Sequence, residues 1–168
     1  TKEDISCFGS ADGSIDITTT GGTQNTTLPL YNYSWINSTI GFSSNTEDLL
    51  NINQPGTYSL NLTDANACPS LVFINNISEP TEITANLSEL DISCFGVADG
   101  FISLLGNGGN PPYTISWLGP NAYSSIQNAN PSNITQLNSG DYDYNITDSK
   151  GCSLQSITPI YISEPSQI

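Results

Sequence analysis

The groups in this chain with chemical potential are carboxylates and thiols. Sixteen Asp and Glu stand against two Lys, and the 168 residues contain no His and no Arg. Without His, a Ser-His or Cys-His nucleophile cannot be assembled, and no P-loop, dinucleotide fingerprint or HExxH motif occurs. Carboxylates remain able to cleave glycosidic bonds in pairs or to ligate a hard cation. Their placement discriminates between these uses. The stretch DISCFGSADGSIDI from Asp4 returns as DISCFGVADGFISL from Asp91. Only four acid positions recur with that echo: Asp4 and Asp91, Asp12 and Asp99, Asp64 and Asp148, Glu79 and Glu164. All lie near turns and stand in both copies, whereas a catalytic pair belongs to one cleft. The sequence therefore predicts a protein that is not an enzyme.

The four cysteines follow the same echo, with an offset of 87 from Cys7 to Cys94 and of 84 from Cys68 to Cys152. Four thiols admit three pairings, and one rule serving both copies selects Cys7 with Cys68 and Cys94 with Cys152. Each such bond would contribute about 4 kcal/mol by restricting the unfolded chain. Reduced, buried cysteine is the alternative. A four-cysteine metal centre is disfavoured, because no Cys-x-x-Cys pair exists. Disulfides persist in oxidising surroundings, which points to an exported protein.

With Cys7 bonded to Cys68, Asp12 and Asp64 stand five and four residues from a common point, so their loops are expected to meet at one end of the unit. Asp99 and Asp148 repeat this beside Cys94 and Cys152. Two carboxylates with Asn66 or backbone oxygens would begin a calcium shell, which needs six to eight oxygens. Calcium is thus the one cofactor the sequence suggests, at Asp12, Asp64, Asp99 and Asp148. The competing role is local: an Asp in an ADG or TDxxxC turn accepts backbone N–H groups two residues on. A second acidic cluster, Glu79, Glu82, Glu89 and Asp91, surrounds the junction between the copies.

The net charge is −14, nine acids against one lysine in residues 1–83 and seven against one in 84–168. A phosphate backbone needs basic partners, so nucleic acid is excluded as a ligand, and anionic membrane surfaces are disfavoured in the same way. Self-repelling surfaces keep exported modules apart in solution. No apolar run approaches the 18 or so residues of a membrane span, and no signal peptide is recognisable, so an export signal or anchor is expected outside this sequence.

The elements that must position these groups are strands. Ile15 and Ile17, then Tyr31, Tyr33 and Trp35, then Tyr58, Leu60 and Leu62 alternate with polar residues, as do Ile102 and Leu104, Tyr113, Ile115 and Trp117, and Tyr142, Tyr144 and Ile146. Period two marks half-buried strands. Further short strands fit Ile5–Phe8, Leu71–Ile74 and Ile83–Leu87, and turn signals such as ADG, GG, NPP, QPG and NSG separate them. The sequence therefore predicts an all-β chain of two tandem immunoglobulin-like β-sandwich domains, 1–83 and 84–168, each with six to seven strands. The longer GGTQNTTLPLYNYSW of the first copy, against GNGGNPPYTISW in the second, reads as a surface-loop insertion. Trp35 and Trp117 share strand faces with Tyr and Ile, which predicts core positions rather than a sugar platform.

DISCFGSADGSIDI, PPYTISW, GTYSLNLTDANAC with its echo GDYDYNITDSKGC, and the two ISEP segments together resemble the SprB repeat of large surface adhesins of gliding bacteria of the Bacteroidota. The resemblance spans the chain as two tandem repeats. It implies export by the type IX route, extracellular display at the cell surface, and a non-enzymatic part in adhesion and gliding. Neighbouring repeats of the same chain are then its partners, with an extracellular polysaccharide or surface ligand as a further one. Ala67 stands where the second copy has Gly151, a departure that leaves the fold expectation intact. The rival reading is a carbohydrate-binding module presenting Phe42, Tyr123 or Tyr161 to a glycan.

Overall fold

The computed structural model describes residues 1–70 and 72–168. Leu71, part of the strand expected at Leu71–Ile74, lies outside the described residues. The chain divides into two compact units, Thr1–Pro80 and Thr81–Ile168.

The first unit contains β1 (Lys2–Glu3), β2 (Gly13–Ile15), β3 (Asn32–Asn37), β4 (Phe42–Ser44), β5 (Leu49–Ile52), β6 (Gly56–Thr63) and β7 (Phe73–Ile77). They form two antiparallel sheets, ordered β1-β2-β5 and β4-β3-β6-β7. The second unit contains β8 (Thr84–Leu90), β9 (Gly100–Asn107), β10 (Thr114–Leu118), β11 (Ser124–Gln127), β12 (Ser132–Leu137), β13 (Gly140–Thr147), β14 (Ser153–Gln155) and β15 (Ile160–Ile162). Its sheets repeat the same plan, β8-β9-β12 and β11-β10-β13, with β14 and β15 both pairing β13. The expected all-β sandwich is thus what the chain adopts. Among the described residues the second unit has eight strands, one more than expected, because the single return strand β7 is broken there into β14 and β15.

Alternation in the sequence becomes alternation of burial. Tyr33, Trp35 and Asn37 of β3 point inward, and so do Tyr58, Leu60 and Leu62 of β6. Ile102 and Leu104 of β9, Ile115 and Trp117 of β10, and Tyr142 and Ile146 of β13 do the same. Each apolar side chain so buried stabilises its unit by roughly 1.5–3 kcal/mol. Both tryptophans are fully enclosed, and their indole N–H groups are satisfied inside. Trp35 Nε1 donates to Thr46 O at 3.0 Å and Trp117 Nε1 donates to Ser132 Oγ at 2.9 Å. Tyr58 and Tyr142 each send the hydroxyl back to a carbonyl four residues upstream, Gln54 at 2.9 Å and Asn138 at 3.0 Å. That bond fixes the turn entering the central strand. Ile83 is buried in the second core, so this core reaches back beyond the start of β8.

Candidate functional site

The ladders decide which loops share an end of each sandwich. β6 starts at Gly56, opposite Ile77, and finishes at Thr63. The DISCFG loop is tied to the Gly56 end. Ile5 N–H donates to Ser78 O (3.0 Å), Ser78 N–H to Asp4 Oδ1 (2.9 Å) and Gly9 N–H to Glu79 Oε1 (2.8 Å). Asp12 belongs to this loop: its Oδ1 accepts from Ser6 N–H at 3.0 Å and its Oδ2 from the Ser6 hydroxyl. Asp64 instead follows Thr63, a strand length away, about 23 Å at the usual rise per residue.

The second unit repeats the plan. Ile92 N–H donates to Ser163 O (3.0 Å), Ser163 N–H to Asp91 Oδ1 (2.7 Å) and Gly96 N–H to Glu164 Oε1 (2.6 Å). Asp99 holds Ser93 through its N–H at 3.0 Å and its hydroxyl at 2.5 Å. These contacts lie at the Gly140 end of β13, where Gly140 pairs Ile162, and Asp148 lies past Thr147 at the other end.

Two expectations are corrected by this geometry. The calcium shells expected from Asp12 with Asp64 and from Asp99 with Asp148 are not assembled, since the members of each pair occupy opposite ends of their sandwich. Among the described residues no three acids or cysteines gather into a metal-binding group. The pairings Cys7–Cys68 and Cys94–Cys152 are not formed either. Cys7 and Cys152 are disulfide-bonded, while Cys68 and Cys94 are free, exposed thiols. Cys7 and Cys94 sit in the DISCFG loops and Cys68 and Cys152 beyond the far ends of β6 and β13, whereas a disulfide needs Cα atoms within about 7 Å.

At the far end each aspartate clamps two loops together. Asp64 Oδ1 accepts N–H groups of Asn66 and Cys68, both at 2.9 Å, and its Oδ2 accepts Thr23 N–H at 3.0 Å. Asp148 Oδ1 accepts from Lys150 N–H (2.8 Å) and Cys152 N–H (3.0 Å), and its Oδ2 from Asn110 N–H (2.7 Å). The Gly-Gly turns wrap these carboxylates. A Cβ on Gly109 would stand 2.7 Å from Asp148 Oδ2, and its φ of +56° is one that side chains rarely adopt.

The same bonds set the electrostatics. Backbone N–H donation holds Asp64 below the usual carboxylate range, led by Thr23, and Asp4 and Asp91 likewise through Ser78 and Ser163. The Ser6 and Ser93 hydroxyls lower Asp12 and Asp99. Burial pushes Asp148 upward, but the N–H groups of Asn110, Lys150 and Cys152 together outweigh it and leave it lowered. Every recurring acid thus accepts at least one backbone N–H. Their chemistry is that of loop clamps holding DISCFG to ISEP at one end and the TD turn to the Gly-Gly turn at the other.

The aromatics of the glycan reading are dispersed. Phe42 stands edge-on to Tyr58 and Tyr123 edge-on to Tyr142, both half-buried against the cores, while Tyr161 is exposed. Sequence reasoning passed over Phe8 and Phe95, exposed at matching places beside Cys7 and Cys94. Their shared offset of 87 was the available signal. It also passed over Ser6 and Ser93, whose position six residues ahead of an Asp marks the clamp.

No curated protein matches the chain. A family model described as the SprB repeat matches residues 1–39 and 90–122, one stretch in each unit, and these stretches contain both DISCFG loops and run past the core tryptophans.

Proposed function

We propose that the chain is a structural repeat segment of a bacterial cell-surface adhesin, serving attachment and gliding as an acidic extender between neighbouring repeats. The observation that carries this reading is the doubled SprB match laid over two units with one strand plan and one set of acid clamps. SprB repeats form a structural, non-enzymatic family associated with cell-surface proteins, and no helix among the described residues is long and apolar enough to cross a membrane. A net charge of −14 gives such a segment a surface that repels its own kind.

We take residues 1–83 and 84–168 as the two repeat domains in this reading. The recurring carboxylates support it by what they do: each organises backbone, which suits a module selected for shape. The test is in cells that carry the gene. Antibody against this segment should label intact cells, and deleting the segment in frame should reduce attachment and gliding speed. Labelling only after lysis, or unaltered attachment and gliding in the deletion strain, would sink the proposal.

A further inference from the structure

We propose that Asn107 is a site of self-modification, at which the Gly108 nitrogen attacks the side-chain amide, expels ammonia and leaves aspartate or isoaspartate beside the Asp148 clamp. Asn107-Gly108 is the one Asn-Gly pair in the sequence, and every other Asn precedes a residue that carries a Cβ. Glycine lacks that obstruction, so its nitrogen can approach the neighbouring Cγ closely. Under the offset of 87 the first copy has Thr20-Gly21 at this place, which has no amide to lose. The reaction therefore belongs to the second unit.

The structure leaves both reacting groups available. Asn107 is the last residue of β9, exposed, and opposite Thr84 in the terminal rung of the β8–β9 ladder. Its amide makes one long bond, Nδ2 donating to Leu105 O at 3.5 Å. Gly108 lies outside the strand, and its N–H donates to no group among the described residues. Attack requires the extended backbone at Asn107 to turn, so the terminal rung must open, and ladder ends open at the lowest cost. Two Asp-Gly pairs could follow the same path, Asp12-Gly13 and Asp99-Gly100. Both are held back. Each carboxylate accepts the N–H and the hydroxyl of Ser6 or Ser93 and is kept ionised, which repels a nucleophile, and Gly13 and Gly100 are buried in their strands.

In the step itself hydroxide takes the Gly108 N–H proton, the nitrogen bonds to Asn107 Cγ, and the Cγ–Nδ2 bond breaks as ammonia leaves with a proton from water. The cyclic imide then takes up one water at either carbonyl. Opening on one side gives aspartate, and on the other isoaspartate, which carries an extra carbon in the backbone. The net change is one water consumed and one ammonia released. The turn beyond has no slack for that carbon. A Cβ on Gly108 would meet Glu82 O at 2.0 Å, Gly109 N–H donates to Thr81 O at 2.8 Å, and Asn110 N–H reaches Asp148 Oδ2 at 2.7 Å. Isoaspartate at position 107 must displace one of these contacts and so loosens the second unit.

The test incubates the whole folded chain at mildly alkaline pH and follows each peptide by mass, with isoaspartyl methyltransferase labelling as the probe for isoaspartate. Conversion should be confined to the peptide holding Asn107, should quicken as hydroxide rises, and should be lost in Asn107→Gln, whose longer side chain cannot close the five-membered ring. The isoaspartate form, separated from the parent, should melt lower, whereas Asn107→Asp, with the charge but no added carbon, should melt near the parent. An Asn107 that stays intact in the folded chain under conditions that convert it in denaturant would overturn the proposal. Isoaspartate arising at Asp12 or Asp99 in the folded chain would overturn it too, as would an Asn107→Asp chain that melts as low as the isoaspartate form.

Discussion

At Asp148 one carboxylate accepts three backbone N–H groups from two loops, and the residue is buried. Removing the acceptor strands those donors. Asp148→Ala should therefore destabilise the second unit by about 1–3 kcal/mol in chemical denaturation. Asp148→Asn keeps one acceptor oxygen and should cost less. Gly109→Ala should mimic the alanine variant, since the new Cβ would press on the same carboxylate. The clamps also fix the acid limb of stability. Asp4, Asp12, Asp64, Asp91, Asp99 and Asp148 are all lowered from an ordinary value of 3.8 in the folded chain. A lowered folded pKa means stability that is fully present above the unfolded value and lost as pH falls through the folded one. The denaturation midpoint should thus drop steeply below about pH 4. A midpoint that holds steady down to about pH 2 would remove the clamps from any account of stability.

Strand faces were legible in the sequence because alternation states directly which side chains point inward, and Trp35, Leu60, Ile102 and Trp117 lie where period two puts them. Strand ends were not legible. Alternation says nothing about which of two loops closes which end, and the inference that joined Asp12 to Asp64 borrowed that information from a disulfide that does not form. The hydrogen bonds that do settle it, from Gly9 to Glu79 and from Thr23 to Asp64, cross 70 and 41 residues and involve backbone N–H groups that carry no sequence signal. The difference between β2 and β9 was equally hidden, since Ile15-Asp16-Ile17 alternates as cleanly as Ile102-Ser103-Leu104. It has a measurable consequence at equivalent positions. Leu104→Ala, at a fully enclosed site, should cost about 3–4 kcal/mol, while Ile17→Ala, at a half-buried one, should cost about 1–2 kcal/mol. Equal losses in the two variants would mean that Ile17 is as enclosed as Leu104.

The whole molecule carries its acids without basic partners: Lys2 with Asp4, at 2.9 Å, is the one salt bridge among the described residues. Repulsion among the other carboxylates opposes the compact state at neutral pH and relaxes as the chain approaches its pI of about 4.1. Added salt screens such exposed charges over about 10 Å at 0.1 M. Raising salt at pH 7 should therefore increase the melting temperature more than the same addition at pH 4.5, a difference that scanning calorimetry can resolve. The thiols give a sharper reading at this scale. Cys68 and Cys94 are free and exposed, and Cys7 and Cys152 are disulfide-bonded, although the repeat makes Cys7 the counterpart of Cys94 and Cys68 that of Cys152. Equivalent positions thus differ in chemical state, which no within-repeat pairing rule produces. Alkylation of the native, unreduced chain followed by peptide mapping should tag Cys68 and Cys94 alone, with Cys7 and Cys152 tagged only after reduction. Tagging of none of the four before reduction would mean that Cys68 and Cys94 are bonded as well and would overturn this assignment.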